Sequence, residues 1–485
     1  MLGEAKLKKI AKTVLNLSRA SQTEVLIIGG ERGLTRFANS QIHQNVAEEG
    51  TWVQVRAVIN PLTPSGRSGR PSIKASTELS RMSSGRGAKI GVASTNDLSS
   101  AGLAKVVEKA ANMTKLSKVD PHFVSLPTNQ KKPLLRRGHS TLRASDSKSF
   151  GGQAKKTLTP TEKAKIVGDI IRIAKADKLI ASGAFDSNLS EIAVANSQGV
   201  WGYHVGTQEN LQTVLLGRNS TGFAQQISSH IGKIDHKKLA KRAVTKALES
   251  KNPIEIEAGD YEVILEPPAV AEMMLFFSYL GPNARIYHEE ASFLTGKLGQ
   301  KLFSEKLTVH DDPLHAETII APFDYEGHPK SKLTIIDKGV FANIVYDSYH
   351  AGKHGGKNTG HALPAPNTEG PIPTHLVFEP GEVSVGDMIK NVKKGILVTR
   401  FWYVRMLHHR LLNITGMTRD GTFLIKNGEI VGAVRNLRFT QSIPEALANV
   451  VSVGNELKLE EGWGGANLVP ALHISKFHFS GVTEF

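Results

Sequence analysis

The apolar positions in the first part of the chain change between helical and strand spacing. Residues 1–20 carry apolar side chains at intervals of three and four, which predicts an amphipathic helix. Residues 24–29, 50–59 and 88–93 are short apolar or alternating runs that indicate strands. A helix is expected over residues 96–114, because Asn-Asp at its start offers an N-cap. This pattern predicts a small α/β unit.

A second unit of the same kind follows a proline-containing linker. Thr159 is a candidate N-cap, and Pro160 suits the first helical position because its φ is fixed at a helical value. The other predicted elements are strands over 179–185, 191–196 and 213–217 and a helix over 237–251. The first half therefore predicts two related α/β layers, each pairing helices with a sheet.

The pattern changes again from Gly259 onward. A strand, a Pro-Pro turn and a helix come first, and short strands separated by turn residues follow. Asn427-Gly428 lies between two apolar runs and predicts a tight hairpin, because both turn positions need a positive φ. We therefore expect an α+β protein, in which the N-terminal α/β layers precede a largely antiparallel β domain.

Length and composition narrow the class of protein. The chain has 485 residues, 40% of them hydrophobic, and no cysteine. At roughly 150 residues per domain this length corresponds to about three domains, which we place at 1–118, 119–255 and 256–485. The lack of cysteine excludes a disulfide scaffold, an iron–sulfur cluster and a cysteine nucleophile. Any metal would be held by His, Asp or Glu.

The excess of positive charge lies in two segments. The formal net charge is +15, of which residues 61–89 contribute +5 and residues 131–156 contribute +7. Both segments are rich in Ser and Gly and lack apolar periodicity, so we expect basic, mobile surface insertions. Such segments can neutralise phosphates, but aromatic residues for base stacking are nearly absent from them. Solvated loops are the favoured interpretation, with nucleic-acid binding as the weaker alternative.

Neither a leader peptide nor a membrane span is indicated by the apolar segments. The N-terminal helix carries Glu4 and has no continuous apolar stretch or small-residue cleavage site. The most apolar later window, residues 269–280, is shorter than the ~20 residues that cross a bilayer. We therefore predict a cytoplasmic protein with no membrane partner.

Five separated blocks of sequence, in the same order, resemble the TldD/PmbA family. They are NSQGV at 196–200, GDYEVILEP at 259–267, SFLTGKLGQKLFSEKLTVHDDP at 292–313, NTG at 358–360, and KGILVTR at 394–400 with TGMTRDG at 415–421. The resemblance covers nearly the whole chain outside the two basic insertions. It implies a cytoplasmic two-subunit protease for small unfolded peptides, in which the TldD-type chain carries zinc and the PmbA-type chain, also called TldE, does not. An older label of the family is "modulator of DNA gyrase".

The family's metal motif has no counterpart in this chain. Catalytic members carry HExxxH before the block at 292–313 and a cysteine downstream; such ligands hold zinc, and the Glu takes a proton from its water. Aligned on that block, the motif falls on residues 275–280, where Leu275, Phe276 and Leu280 replace His, Glu and His. The downstream cysteine falls near Gly462 or Trp463. The resemblance thus implies a PmbA/TldE-like chain with no catalytic or metal residues of its own.

Histidines elsewhere offer an alternative metal site. His350, His354 and His361 are spaced so that the first two would share a helix face, although the glycines among them oppose a continuous helix. A Gly-rich loop whose histidines and lysines face a groove or solvent is the favoured interpretation. Asp311 and Asp312 precede Pro313, so we expect a turn or capping role for them. No GxSxG elbow and no phosphate-binding loop occurs.

Three functions follow, in order of preference. The first is a noncatalytic subunit that pairs with a zinc-bearing TldD-like homologue, or with a second copy of itself, and helps to hold extended peptides. No cofactor is expected in this chain, and zinc is expected in the partner. The second is an active metallopeptidase with relocated His ligands. The third is a DNA-binding or gyrase-modulating protein that acts through the basic segments.

Overall fold

A computed structural model describes residues 1–60, 87–128 and 157–483. The two basic insertions lie outside these residues, apart from 87–89. The helices are α1 (Glu4–Leu17), α2 (Ser100–Leu116), α3 (Pro160–Ala176), α4 (His236–Glu249), α5 (Pro267–Leu280), α6 (Ala284–His288), α7 (Ser348–His354), α8 (Val385–Lys390) and α9 (Ile443–Ala448). None of the helices in this part of the chain has the length and apolar character needed to cross a bilayer.

The strands fall into an N-terminal and a C-terminal group. The N-terminal strands are β1 (Gln22–Ala38), β2 (Gln41–Ile59), β3 (Lys89–Thr95), β4 (Ile180–Asn196), β5 (Trp201–Leu216) and β6 (Thr221–Ser228). The C-terminal strands are β7 (Gly259–Leu265), β8 (Val309–Asp311), β9 (Leu333–Asp337), β10 (Val340–Phe341), β11 (Leu376–Phe378), β12 (Lys394–His408), β13 (Asn413–Lys426), β14 (Glu429–Ala433), β15 (Leu437–Ser442), β16 (Val450–Val453), β17 (Lys458–Gly462), β18 (Gly465–Val469) and β19 (Leu472–Val482).

The two N-terminal units are halves of one antiparallel sheet, with strand order β3-β2-β1-β4-β5-β6. One apolar cluster joins α1 and α2 to the β3 half, and a second joins α3 and α4 to the β6 half. Each half uses a glycine to bring its helix close. A Cβ on Gly91 would lie 2.2 Å from Ala110 O of α2, and a Cβ on Gly222 would lie 2.2 Å from Ala243 O of α4. The repeated arrangement accounts for the similar patterns of the two units.

The N-terminal strands extend well beyond the predicted apolar runs. β1 has 17 residues and β2 has 19, whereas the pattern predicts only 24–29 and 50–59. The missing part is the distal end of the β1–β2 hairpin, where the side chains of residues 41–50 are exposed or half-buried. Because neither face of this part of β2 is buried, it carries no apolar alternation that would reveal a strand. The distal part of β1 does bury Gly33, Thr35 and Phe37, but only Phe37 is a large apolar residue. β4 likewise joins the runs 179–185 and 191–196 into one element.

The C-terminal part contains two further sheets. Their strand orders are β10-β9-β8-β11-β18-β17 and β12-β7-β19-β15-β13-β14. Most pairs are antiparallel, and the pairs β7–β12 and β11–β18 are parallel. The hairpin at Asn427-Gly428 is confirmed, with φ of 51° and 83° at the two turn residues. The predicted α+β class, with a largely antiparallel C-terminal part, is also confirmed.

Charged contacts join the N-terminal sheet to the C-terminal part. Arg56 Nη2 lies 2.5 Å from Glu24 Oε2 and 3.0 Å from Glu326 Oε1. On the other half of the sheet, Asn210 Nδ2 donates to Glu461 Oε1 at 2.6 Å. The face of the sheet opposite the helices therefore lies against the C-terminal part, and the cavities described below occur along this boundary.

Candidate functional site

Helix α5 occupies the position at which the sequence comparison places the metal motif. It follows β7 directly and begins with Pro267 and Pro268, which suit a first helical turn. Leu280 is buried and Leu275 and Phe276 are half-buried, so this stretch packs hydrocarbon against the surrounding protein. The helix itself belongs to the largest apolar cluster of the molecule. It supplies no nitrogen, oxygen or sulfur ligand at the three aligned positions.

The C-terminal end of α5 meets the turn between β17 and β18. The rings of Tyr279 and Trp463 are stacked, with centroids 5.4 Å apart and an interplanar angle of 22°. Trp463 is 49% exposed, and the Tyr279 hydroxyl donates to the Glu369 carboxylate. That hydrogen bond, together with burial, raises the pKa of Tyr279. The two sequence windows onto which the family resemblance places the metal motif thus meet in space, and an aromatic pair lies where they meet.

These residues do not fit a zinc ion. Zinc in proteins is bound by Cys sulfur, His nitrogen or carboxylate oxygen, whereas Leu275, Leu280 and Trp463 offer none of these atoms. Across residues 1–60, 87–128 and 157–483, no group of three or more His, Cys, Asp or Glu side chains is arranged to hold a metal ion. No step of chemistry through zinc can therefore be derived for this position in this chain.

The histidines of the alternative site are divided between two environments. His350 and His354 do share a face of α7, with ring centroids 6.2 Å apart, and His354 stacks on His288 at 4.0 Å. Residues 348–354 are thus helical and not the expected Gly-rich loop, and His350 is buried. The helix ends at His354, because Gly355 takes a φ of 72°, so it does not continue toward His361. His361 is buried, and its Nε2 lies 2.9 Å from Asp311 Oδ2. The structure brings two of the three candidates together and gives the third another partner.

A cavity of about 500 Å³ lies between the N-terminal sheet and the loop 319–325. β4 and β5 contribute polar side chains on the sheet side, including Asn188 and Gln208. On the opposite side lie Lys330, Thr374 and His375. The glycines of the β17–β18 turn line the same cavity, so it adjoins the aromatic pair. Its size is within the range of pockets that hold small ligands.

Asp311 is the centre of a buried polar network behind this cavity. Its Oδ2 accepts from His361 Nε2 at 2.9 Å, and its Oδ1 accepts from the backbone N–H of His375 at 2.8 Å. Lys330 Nζ lies 3.8 Å from Oδ2. Burial alone would raise the pKa of Asp311, but the Lys330 ammonium and His361 hold it well below its usual range. Asp311 is therefore a fully enclosed carboxyl group whose neighbours favour the ionised form.

The turn role predicted for Asp311 is wrong, and that for Asp312 is confirmed. Asp312 Oδ1 accepts from the backbone N–H of Leu314 at 3.3 Å, as a turn residue does. Asp311 instead lies in β8 with no exposed surface. Neighbouring strand residues point to opposite faces, and the sequence alone did not indicate which of the two faces inward. Lys330, Thr374 and His375 carried no recognisable motif, because residues far apart in the chain form this network.

A second groove, of about 840 Å³, lies between α4 and the C-terminal part and reaches the start of α5. Lys246 Nζ donates to Glu266 Oε2 at 2.7 Å and to Thr399 Oγ1 at 2.8 Å within it. Glu460 of β17 faces the groove, and burial raises its pKa to about 8. Because Glu461 and Gly462 line the first cavity, strand β17 borders both spaces.

Comparison with known proteins gives consistent results over most of the chain. Residues 121–251 match the PmbA/TldA metallopeptidase central domain, and residues 258–481 match the PmbA/TldA metallopeptidase C-terminal domain. The chain is 23% identical over 399 residues to "Metalloprotease PmbA" of Escherichia coli O157:H7, covering 79% of this chain and 83% of that protein. It is 28% identical over 247 residues to "Metalloprotease TldD homolog" of Buchnera aphidicola, spanning half of each.

A solved structure has the same fold along its whole length. The crystal structure of TldE from Thermococcus kodakarensis superimposes with a TM-score of 0.79 at 20% sequence identity. The match covers 98% of this chain and 100% of that one. At this identity the likeness establishes the fold.

Proposed function

The chain belongs to the PmbA/TldD metallopeptidase family, and we propose that it is a noncatalytic, TldE-like subunit of a two-chain metalloprotease. In this proposal a zinc-bearing, TldD-like homologue supplies the catalytic metal. The present chain completes the enclosed site and helps to hold small, unfolded peptides in the cytoplasm. A pair of identical chains is the alternative assembly.

The observation that carries the proposal is the chemistry of the aligned motif. Leu275, Phe276 and Leu280 stand where the catalytic family pattern has His, Glu and His. The stacked pair of Tyr279 and Trp463 closes the place where helix α5 meets the β17–β18 turn. Apolar and aromatic side chains can fill space and contact a peptide, but they can neither bind zinc nor take a proton from its water.

Strand β17 supports the peptide-holding role. It is at the edge of its sheet, with β18 as its partner. Its residues border both cavities, and the strand ends next to Trp463. An exposed strand edge can pair with an extended peptide through main-chain hydrogen bonds, which gives weak dependence on peptide sequence. Unfolded peptides have unpaired main-chain N–H and C=O groups for such hydrogen bonds, whereas in folded proteins these groups are mostly paired already.

A reconstitution assay tests the proposal. The purified chain alone is expected to leave an unstructured fluorogenic peptide uncleaved, with or without added zinc. Adding the metal-bearing homologue from the same organism is expected to give cleavage that a chelator abolishes. The matched control replaces the Glu of the homologue's HExxxH motif by Gln, which keeps the complex but removes the base. Metal-dependent cleavage by the present chain alone would overturn the proposal.

A further inference from the structure

Lys330 places an amine inside the cavity between the N-terminal sheet and the loop 319–325. Its side chain is 4% exposed, and the residue lines the cavity. Nζ donates to Thr374 Oγ1 at 3.1 Å, and Asp311 Oδ2, at 3.8 Å, is beyond hydrogen-bond distance. A lysine ammonium has three N–H groups to donate. Lys330 therefore has the capacity to donate to a ligand as well.

The polar groups next to Lys330 already form hydrogen bonds with one another or with the backbone. His375 Nε2 lies 2.8 Å from the Ile319 carbonyl oxygen, which only accepts, so Nε2 carries the hydrogen. His375 Nδ1, 2.8 Å from Thr374 Oγ1, then accepts the hydroxyl proton. The oxygens of Asp311 accept from His361 and from the backbone of His375. In this arrangement Lys330 is the group of the network that can bind an acceptor entering the cavity.

The remaining walls define the kind of molecule that fits. The cavity is also lined by aliphatic and aromatic side chains, namely Ile28, Ile192, Ile319, Ile320, Phe323, Leu363 and Ile372. The amides of Asn188 and Gln208 lie on the sheet side. A ligand with a hydrogen-bond acceptor at one end, an apolar side chain and a main-chain amide complements Lys330, the apolar wall and the two amides, respectively. The volume of about 500 Å³ suits a small molecule or the end of a peptide.

We propose that this cavity binds the free C-terminal carboxylate of a short peptide, with Lys330 as the donor to the carboxylate and the aliphatic wall around the last side chain. The inference rests on the proposed function, which supplies short peptides at the neighbouring β17 edge. Hydrogen bonds to charged groups are stronger than neutral ones, so a carboxylate is favoured over an amide. Because the Asp311 carboxylate balances much of the Lys330 charge, we do not expect high affinity. The property to measure is therefore the preference for a peptide with a free C-terminal carboxylate over the same peptide with a C-terminal amide.

Isothermal titration of the full, tag-free chain with two peptides tests this inference. The probes are N-acetyl-Ala-Leu-Leu with a free carboxylate and the same peptide with a C-terminal amide. The acid is expected to bind at least about tenfold more tightly, because its carboxylate makes a charged hydrogen bond with Lys330 that the amide cannot make. Lys330→Met should remove most of this preference. Lys332→Met, two residues away and exposed, should keep it.

Equal binding of acid and amide, no binding of either, or an unchanged acid preference in Lys330→Met would each overturn the proposal. The comparison of the two peptides on the unsubstituted chain needs no variant, so the test holds even where Lys330→Met does not fold. Binding is measured without the partner, whereas the reconstitution assay measures cleavage with it. Acid-selective binding without reconstituted cleavage would overturn the proposed function and leave the carboxylate site standing. Cleavage without acid-selective binding would overturn the carboxylate site and leave the proposed function standing.

Discussion

Arg56 shows how a single side chain joins the two parts of the molecule. Its guanidinium contacts Glu24 on the neighbouring strand and Glu326 in the C-terminal part, and all three side chains are nearly buried. Burial, opposed by Arg56, raises the pKa of Glu24 to about 7. Removing one member of such a group leaves uncompensated charge inside the protein. The packing of the N-terminal sheet against the C-terminal part therefore depends on Arg56.

We predict that Arg56→Met lowers the free energy of unfolding by about 3–5 kcal/mol, because Glu24 and Glu326 lose their shared cation. The control is Arg32→Met on strand β1, whose ion pair with Asp186 is 2.8 Å long but whose side chain is 62% exposed. Exposed pairs contribute ~0–1 kcal/mol. Urea denaturation of both variants distinguishes them, and equal losses would contradict the bridging role of Arg56.

Gly222 must be small because the backbone of α4 packs directly against it. A Cβ there would lie 2.2 Å from Ala243 O and 2.4 Å from Ala247 N, both in α4. Gly222→Ala should therefore push α4 away from β6 and lower stability by about 1–3 kcal/mol, as overpacking does. Gly50→Ala, with no atom within 4 Å of its added Cβ, should be close to neutral. A thermal melt that found Gly222→Ala as stable as Gly50→Ala would refute this account of the helix contact.

At the scale of elements, α5 is a core helix rather than a ligand-bearing one. Its buried face includes Met273, Met274 and Phe277, all with no exposed surface. Phe277 also lies edge-on to Phe303, at 6.1 Å between ring centroids. The helix thus stabilises the C-terminal part through burial of apolar area, which suits a member of the family whose metal ligands are replaced.

Phe277→Ala is expected to lower the free energy of unfolding by about 3–5 kcal/mol, because it removes a fully buried ring. Phe276→Ala, the adjacent half-buried ring at the position aligned with the catalytic Glu, should cost clearly less. Comparing the denaturation midpoints of the two variants shows which side of α5 packs against the core. A larger loss for Phe276→Ala would show that the assignment of the buried face is wrong.

The elements that sequence predicted well are those with one buried face. α2, α3 and α4 alternate buried and exposed positions and carry side-chain N-caps. Thr159 caps α3 as predicted, in a capping box with Glu162, whereas α2 is capped by Ser99 and not by the expected Asn96-Asp97. The distal part of β2 was missed because its side chains are exposed or half-buried. The distal part of β1 was missed because, of its buried residues Gly33, Thr35 and Phe37, only Phe37 is a large apolar residue. The network around Asp311 was missed for another reason, since Lys330 and His375 reach it only through tertiary packing.

At the scale of the whole molecule, buried carboxyls make stability depend on pH. Burial raises the pKa of Glu209 to about 7 and that of Glu460 to about 8. Burial and the neighbouring Glu326 also raise the pKa of Asp324 well above its usual range. In the unfolded chain these groups titrate near pH 4. The folded state therefore holds more protons near neutral pH, and the stability this gives is lost as pH rises through the folded pKa values.

We predict that the free energy of unfolding falls by about 1–3 kcal/mol between pH 7 and 8.5, above the range in which unfolded histidines titrate. Urea midpoints across this interval measure the slope. Asp324→Asn should flatten the slope, whereas Asp337→Asn, at an exposed site, should leave it unchanged. A midpoint that rose with pH in this interval would contradict the prediction.

The family could be predicted from sequence, because separated motifs in the same order carry the resemblance. The joining of the first two units into one sheet could not, since no local pattern reports that β1 pairs with β4 across more than 140 residues. The basic segments 61–89 and 131–156 lie almost wholly outside the described residues. Their favoured interpretation as solvated loops and the weaker alternative of nucleic-acid binding both stay predictions.

The central claim, that this chain has exchanged its metal ligands for apolar and aromatic side chains, is tested most directly by elemental analysis. Zinc, iron and manganese are measured per chain by mass spectrometry on tag-free protein. We predict almost no tightly held metal, since Leu275, Leu280 and Trp463 offer no ligand atom. Close to one metal ion per chain, retained through dialysis, would contradict the account and make His350, His354 and His361 the first positions to replace.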